Sequence, residues 1–342
     1  MKLVSYLREE HDQLALLIDG LLFDMEYLHP DLPGNISMFL NYWSDFLPLA
    51  RLGELAVQEG HIDRAKGIPY DSAFILAPVP YPGSCRDGYA FRQHVATARR
   101  NRGLPMIEAF DQFPVFYFTN HHSVQGPGNV RCMPDHFDRL DFELEVAVVI
   151  CKQGRNIRAE AADAYIGGLM VMNDSSARTL QMEEMVLNLG PAKGKDFSTA
   201  TGPWLVTTDE LEQREIAAPP GHSGKAWDLP MRCWVNGAQL SDGNLRDMDW
   251  TFAEIIERAS YGAELFPGDI IGSGTVGTGC LLELNGTARM EDPALTERWL
   301  QEGDKVEMEI EGLGRLENLL IREEEEFSIL ALKKTHTAGQ PL

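Results

Sequence analysis

The stretch Asp141-Phe-Glu-Leu-Glu-Val-Ala-Val-Val-Ile150 limits what this chain can fold into more than any other. Its apolar, β-branched composition reads as a strand, and strand side chains alternate between two faces. One face carries Phe142, Leu144, Val146 and Val148, a continuous core surface. The other begins with Glu143 and Glu145 and continues as Ala147 and Val149, so the acids lie where the strand passes from wet to dry. Two carboxylates side by side at such a boundary repel unless a cation or a proton lies between them. Asp174, which ends the apolar run Gly168-Leu-Met-Val-Met172, offers a third oxygen ligand. Oxygen ligands alone suit a hard divalent ion, Mg2+, Ca2+ or Mn2+, rather than zinc. Spacing by itself is equally consistent with an amphipathic strand whose acidic face is solvated.

Around this strand, short β-like runs alternate with glycine and proline turns, and 31 glycines and 19 prolines suit such a chain. The runs fall at 115–119, 144–151, 169–173, 204–207, 232–235, 269–272, 280–284 and 306–310, with helices expected over 176–189 and 250–261. Many strands against two helices imply a β-dominated α+β fold. Residues 1–76 read as a small N-terminal α/β domain. Its strands flank a turn at Asp19-Gly20, and a helix over 37–59, with apolar Met38, Leu40, Trp43, Leu47 and Leu52, is broken by Pro48. The proline-rich Ala77-Pro-Val-Pro-Tyr-Pro-Gly83 reads as a linker into a larger domain, 77–342. The acidic run 323–326 reads as solvated surface.

A formal net charge of −22 argues against a nucleic-acid or anionic-membrane surface, since both require basic patches. The five cysteines, Cys85, Cys132, Cys151, Cys233 and Cys280, form no CxxC pair and read as free thiols in a reducing compartment. The first residues carry early charges and no apolar core of a signal peptide, and Asp19 interrupts the apolar stretch 14–23. A soluble, cytoplasmic protein is expected.

Other polar residues gather at the ends of these elements. Arg178 and Gln181 are three apart at the start of a helix that directly follows Asp174, so they share a face near the acids, or simply a solvent-facing one. Lys195 lies in a glycine-flanked loop, where it either contacts an anion or carbonyl oxygen or is solvated. In Ile271-Gly-Ser-Gly-Thr275-Val-Gly-Thr-Gly279, exposed backbone N–H groups could cradle a carboxylate, or the loop could merely be flexible. It lacks the Gly-Lys-Ser/Thr of a nucleotide P-loop.

Together these segments resemble the fumarylacetoacetate hydrolase family. The resemblance rests on Ala77-Pro-Val-Pro, His94, Glu143-x-Glu145, Asn173-Asp174-x-Ser176-Ala-Arg178-x-x-Gln181, Lys195-x-Phe and Gly274-Thr275, in the family's order and spacing. It implies a twisted, mostly β metal-bearing C-terminal domain of mixed β-sheet and β-roll type, behind a small N-terminal domain, and pairing of two chains. Asp87-Gly-Tyr89-Ala-Phe-Arg92-Gln93-His94 is similar to the segment that, in the fumarylacetoacetase branch, supplies a fourth carboxylate ligand, a substrate-binding tyrosine and the catalytic histidine. Pro114-Val-Phe-Tyr117 is similar to a second tyrosine segment, and Leu281-Leu-Glu283-Leu to one whose glutamate orients the histidine. Shorter members carry His-x-x-Glu, but here that spacing gives His94-Val-Ala-Thr97, so His94 needs a carboxylate from elsewhere. Apart from the resemblance, His94 reads as a helix-surface residue and Glu283 as an exposed strand residue.

The resemblance implies hydrolysis of a carbon–carbon bond in a β-diketo acid of the fumarylacetoacetate or acylpyruvate type, and a place in aromatic amino acid catabolism. Asp87, Glu143, Glu145 and Asp174 would hold the metal, and His94, oriented by Glu283, would deprotonate the attacking water. Arg178, Gln181 and Lys195 would stabilise developing charge, and Tyr89, Tyr117 and Thr275 would hold the substrate. A lyase of the same family, decarboxylating or dehydrating a 2-keto acid through a metal-stabilised enolate, is the alternative. Substrate specificity is expected in residues 95–113 and 215–228.

Overall fold

The structure, a computed structural model, describes residues 1–325 and 327–333. Its main elements in chain order are β1 (Lys2–Arg8), β2 (His11–Ile18), β3 (Leu21–Asp24), α1 (Trp43–Gln58), β4 (Cys85–Gly88), α2 (Arg92–Arg100), β5 (Phe116–Thr119), β6 (Gly128–Cys132) and β7 (Leu144–Ile150). There follow β8 (Ile166–Asp174), α3 (Arg178–Val186), β9 (Thr199–Thr207), β10 (Pro230–Val235), β11 (Ala238–Asn244), α4 (Phe252–Ser260), β12 (Ile270–Gly272), α5 (Leu281–Glu291), β13 (Lys305–Ile310) and β14 (Gly314–Arg322). The molecule is a β-dominated α+β protein.

A twelve-stranded sheet runs β3-β2-β1-β9-β8-β7-β12-β4-β5 along its main path, and a five-stranded sheet runs β11-β10-β13-β14-β6. The N-terminal hairpins join the large sheet through β1, where Leu3 pairs with Leu205. Strand β7 is buried on both faces, and each face feeds a different core. Leu144, Val146, Val148 and Ile150 pack with Met231, Cys233 and Met308 of the smaller sheet. Ala147 and Val149 pack with Met170, Met172, Leu3, Leu16 and Phe39. Burial of each large aliphatic side chain contributes about 1.5–3 kcal/mol, so β7 is the rigid spine on which nearby groups are positioned.

Most expected elements appear with boundaries shifted by a few residues, and the turn at Asp19-Gly20 has the positive φ of a tight hairpin at both positions. Three expectations need correction. Residues 280–284 are not a strand: Cys280 is extended, and Leu281 begins helix α5. Their apolar run looks strand-like locally, but the Asp141 carboxylate accepts from the backbone N–H groups of Leu281 and Leu282, at 2.6 and 2.9 Å. A helix N-cap is thus supplied from a remote strand. The first helical segment is broken at Tyr42 rather than at Pro48, which lies exposed inside α1. The strand carrying the acids does not pass from wet to dry, since Glu143 is 5% and Glu145 0% exposed. A solvated acidic face is therefore excluded. Of the acidic run 323–326, Glu324 and Glu325 are exposed and Glu326 lies outside the described residues.

Candidate active site

The register of the large sheet brings the acids together. Leu144 pairs with Asn173, which sets Glu143, just before β7, and Glu145, on it, beside Asp174 at the end of β8. On the other side of β7, Ala147 pairs with Gly272, and Gly272 pairs with Asp87 of β4. Gly272 has no side chain to separate its neighbours, and a Cβ there would lie 2.5 Å from Asp87 Oδ1. Asp87, Glu143, Glu145 and Asp174 consequently offer carboxylate oxygens within 4.8 Å of one another, all buried. The glycine loop does cradle a carboxylate, that of Asp87, which accepts from the Gly274 N–H at 3.1 Å. Gly274 is required there twice over: its φ is +81°, and a Cβ would meet the Gly88 carbonyl oxygen at 2.7 Å.

Four buried carboxylates are not balanced by the cations beside them. Lys195 Nζ lies 2.6 Å from Asp174 Oδ2 and also bonds Glu143. Arg178 Nη2 donates to Glu143 Oε1 at 2.8 Å. Burial acts on Glu143 to raise its pKa, but Lys195 and Arg178 outweigh it and hold the carboxyl at about 2. Glu145 and Asp87 are the reverse case. Burial, then the charge of Asp174, pushes Asp87 up to about 7, and burial with Asp87 alongside drives Glu145 well up. Two buried oxygens, Glu145 Oε2 and Asp174 Oδ1, have no hydrogen-bond partner. Unpartnered oxygens in an acid cluster fit a divalent cation bound by Asp87, Glu143, Glu145 and Asp174.

Across the cavity stands a second assembly. His94, on the first turn of α2, places Nδ1 2.8 Å from Glu283 Oε2 on the first turn of α5, 189 positions away. With Glu283 as acceptor Nδ1 is the donor, and in the neutral ring of that tautomer Nε2 keeps its lone pair. Glu283 Oε1 is fixed by the Thr278 N–H at 3.0 Å. Thus Glu283 is a buried helix residue, not an exposed strand residue, and His94 is buried rather than on the surface.

The two assemblies share a cavity of about 890 Å³, lined among others by Asp87, Tyr89, His94, Tyr117, Glu143 and Lys195. Thr275, Arg178 and Gln181 also line it. The Thr275 hydroxyl donates to Glu145 Oε1 at 3.3 Å, and that of Tyr117 to Asp174. The Tyr89 ring stands edge-on to His94 at 5.9 Å between centroids. Arg178 is more tightly held than a free oxyanion donor: Nε and Nη2 bond Asp141 and Nη1 reaches Gln181 Oε1 at 3.0 Å. Of the two expected specificity segments, 95–113 contributes Ala98, Arg99, Asn101, Arg102 and Ile107 to the lining, and 215–228 contributes nothing. Residues 215–228 form a separate hairpin, Glu215 opposite Trp227.

Sequence reasoning missed Asp141 and the arginines of the cavity mouth. Asp141 continues the alternation backwards from Glu143, a visible signal, and it binds Arg178 while capping α5. Arg99, Arg102, Arg139 and Arg289 line the cavity from separate segments, and nothing local marks them. Arg139 and Arg289 pair with Glu297, which also lines the cavity, at 3.4 and 2.9 Å, so in a chain of net charge −22 the cationic excess there rests on Arg99 and Arg102.

Comparison with known proteins adds the following. Residues 84–321 match the family described as fumarylacetoacetate hydrolase, C-terminal. The chain is 31% identical over 329 residues to an oxaloacetate tautomerase, Fahd2a, mitochondrial, of Rattus norvegicus, covering 94% of this chain and 92% of that protein. It is 34% identical over 196 residues to a fumarylacetoacetase of Oryza sativa subsp. japonica, but spans only 46% of that relative's length. Among solved structures, maleylpyruvate hydrolase from Sphingobium sp. SYK-6, in complex with manganese(II) ion and pyruvate, is similar with a TM-score of 0.67. It is 20% identical, with 95% of this chain and all of that one covered, which bears on the fold.

Proposed function

Because the chain belongs to the fumarylacetoacetate hydrolase family, we propose that it is a metal-dependent hydrolase cleaving a carbon–carbon bond of a β-diketo acid. The observation that carries this reading is the His94–Glu283 pair, 2.8 Å apart, whose His94 lines the same cavity as Asp87 and Glu143 of the acid cluster. A divalent ion held by Asp87, Glu143, Glu145 and Asp174 would supply Lewis-acid polarisation of a 1,3-dicarbonyl. His94 accepts a proton from water at Nε2, and Glu283 stabilises the imidazolium that forms. Lys195 offsets part of the cluster's charge and presents a cation to developing oxyanion charge. Arg178 acts by holding Glu143 in place. Tyr89, Tyr117, Thr275 and Gln181 orient the substrate from the wall, and the arginine-lined mouth attracts an acid. Pairing of two chains, a cytoplasmic location and a role in aromatic catabolism belong to the same proposal. Among the described residues no helix is long and apolar enough to cross a membrane.

The full-length likeness to the rat tautomerase favours a second reading, proton transfer between keto and enol forms of a 2-keto acid. There His94 would move a proton at carbon or oxygen, and no bond between carbons would break. Purified protein with Mg2+ or Mn2+ should be given fumarylacetoacetate, an acylpyruvate and enol-oxaloacetate in turn. Loss of diketone absorbance with release of two acids supports hydrolysis. Enol decay without new acids supports the second reading, and release of CO2 or water supports the lyase.

A further inference from the structure

Beside the acid floor lies a second cluster of different chemistry. His94, Cys280 and Glu283 offer a nitrogen, a sulfur and an oxygen all within 4.8 Å of one another, and all three side chains are buried. Cys280 and Glu283 are three apart at the start of α5, Cys280 at its N-cap position and Glu283 on its first turn. The thiol has no part in the hydrolysis proposed above. Burial and the nearby Asp141 hold it protonated, so it is a poor nucleophile. What remains open to it is metal ligation, where the ion displaces the thiol proton to solvent.

We propose that His94, Cys280 and Glu283 form a second metal site, selective for zinc, whose occupation inhibits the enzyme. Sulfur and imidazole ligands suit zinc and disfavour magnesium, which the all-oxygen floor suits instead. Tetrahedral zinc separates neighbouring ligand atoms by roughly 3.3–3.5 Å. The His94–Glu283 pair at 2.8 Å therefore has to open by roughly half an ångström. Of the three residues His94 lines the cavity, so an ion reaches the cluster from the His94 side, and water would be its fourth ligand. Zinc on Nδ1 takes the place of the proton shared with Glu283. The ring then carries its proton on Nε2, where the lone pair for water is needed. The inhibition rests on the hydrolase reading; the binding does not.

The test uses the whole chain with its acid site saturated by Mg2+. Zn2+ is expected to bind with one further equivalent and suppress turnover. Co2+ under the same conditions is expected to give a thiolate-to-cobalt charge-transfer band in the near ultraviolet. In Cys280→Ser, and in Cys280→Ala should the serine variant misfold, the band disappears and Mg2+-supported turnover persists. Zinc affinity there falls by at least about 100-fold, the upper range for losing even an indirect partner of a ligand. Equal zinc binding in wild type and variant, or a Co2+ spectrum with no sulfur band, overturns the proposal. Inhibition relieved by excess Mg2+ equally in both proteins overturns it too, since zinc would then occupy only the carboxylates. The band and the stoichiometry are read without turnover, so a failed hydrolase reading is distinguishable from a failed zinc site.

Discussion

Asp141 and Glu145 stand on either side of Glu143 in one stretch of chain, both removed from water, and their surroundings are opposite. Asp141 is fully provided for: Arg178 donates to it twice and the first turn of α5 donates twice more. Glu145 receives one bond, from Thr275, and its second oxygen has no partner. The first acid is a structural anion neutralised from within the chain. The second belongs to a cluster left short of positive charge, and that shortage is what a bound cation would meet. Burial alone therefore does not distinguish a structural acid from a functional one; the count of partners does.

This contrast can be broken in several places. The largest effect is expected from stripping divalent ions with a chelator, which should lower turnover by about 1,000-fold, the scale of several kcal/mol of Lewis-acid stabilisation. Turnover that survives complete metal removal would make the acid floor structural. Next, His94→Ala should cost about 100- to 10,000-fold in kcat, the range of general-base catalysis, with the floor's bound metal unchanged by elemental analysis. Normal kcat in that variant would remove His94 from the mechanism.

Stability separates the two acids more directly. Arg178→Met should cost about 3–5 kcal/mol in denaturant unfolding, because it strands the buried Asp141 charge. Adding Asp141→Asn should restore part of that loss. Glu145→Gln should do the opposite in metal-free protein, raising Tm by about 2–4 °C for each kcal/mol of repulsion relieved in a domain this large. It should also abolish the Tm increase that Mg2+ gives wild type. A Glu145→Gln protein less stable than wild type without metal would mean that the cluster is already balanced.

The last test is in pH. The Asp87 carboxyl, raised by burial to about 7, gives stability that is fully present below its ordinary range near pH 4. That stability is lost as pH rises toward about 7. Glu143, held at about 2, contributes in the opposite sense, losing its share as pH falls from about 4 toward 2. Metal-free wild type should thus lose stability between about pH 4 and 7 relative to Asp87→Asn, and saturating Mg2+ should remove the difference. Parallel melting curves of the two metal-free proteins across that range would contradict the shift.

Much of this arrangement is legible in the sequence, and the limits have a physical origin. Strands β1, β2, β3, β7 and β8 follow from local alternation and turn chemistry, because face assignment depends only on a residue's parity. The i, i+2 spacing of Glu143 and Glu145, with Asp174 ending another apolar run, already offers the ligand chemistry. The helix at Leu281 is not legible, because its capping anion is Asp141, brought from 140 positions away. Nor is the double burial of β7, which requires knowing that one sheet covers one face and the N-terminal hairpins the other.

The residues alone therefore settle which chemistry is available: hard oxygen donors, an imidazole without a neighbouring acid in its own helix, and cations spaced to approach them. Local geometry at i and i+2 encodes that much. Only the folded chain decides that Gly272 lets Asp87 reach the glutamates, that Glu283 is the acid serving His94, and that two oxygens remain unpartnered. These depend on strand order and register, which sum weak preferences over the whole molecule and leave no mark on any single segment.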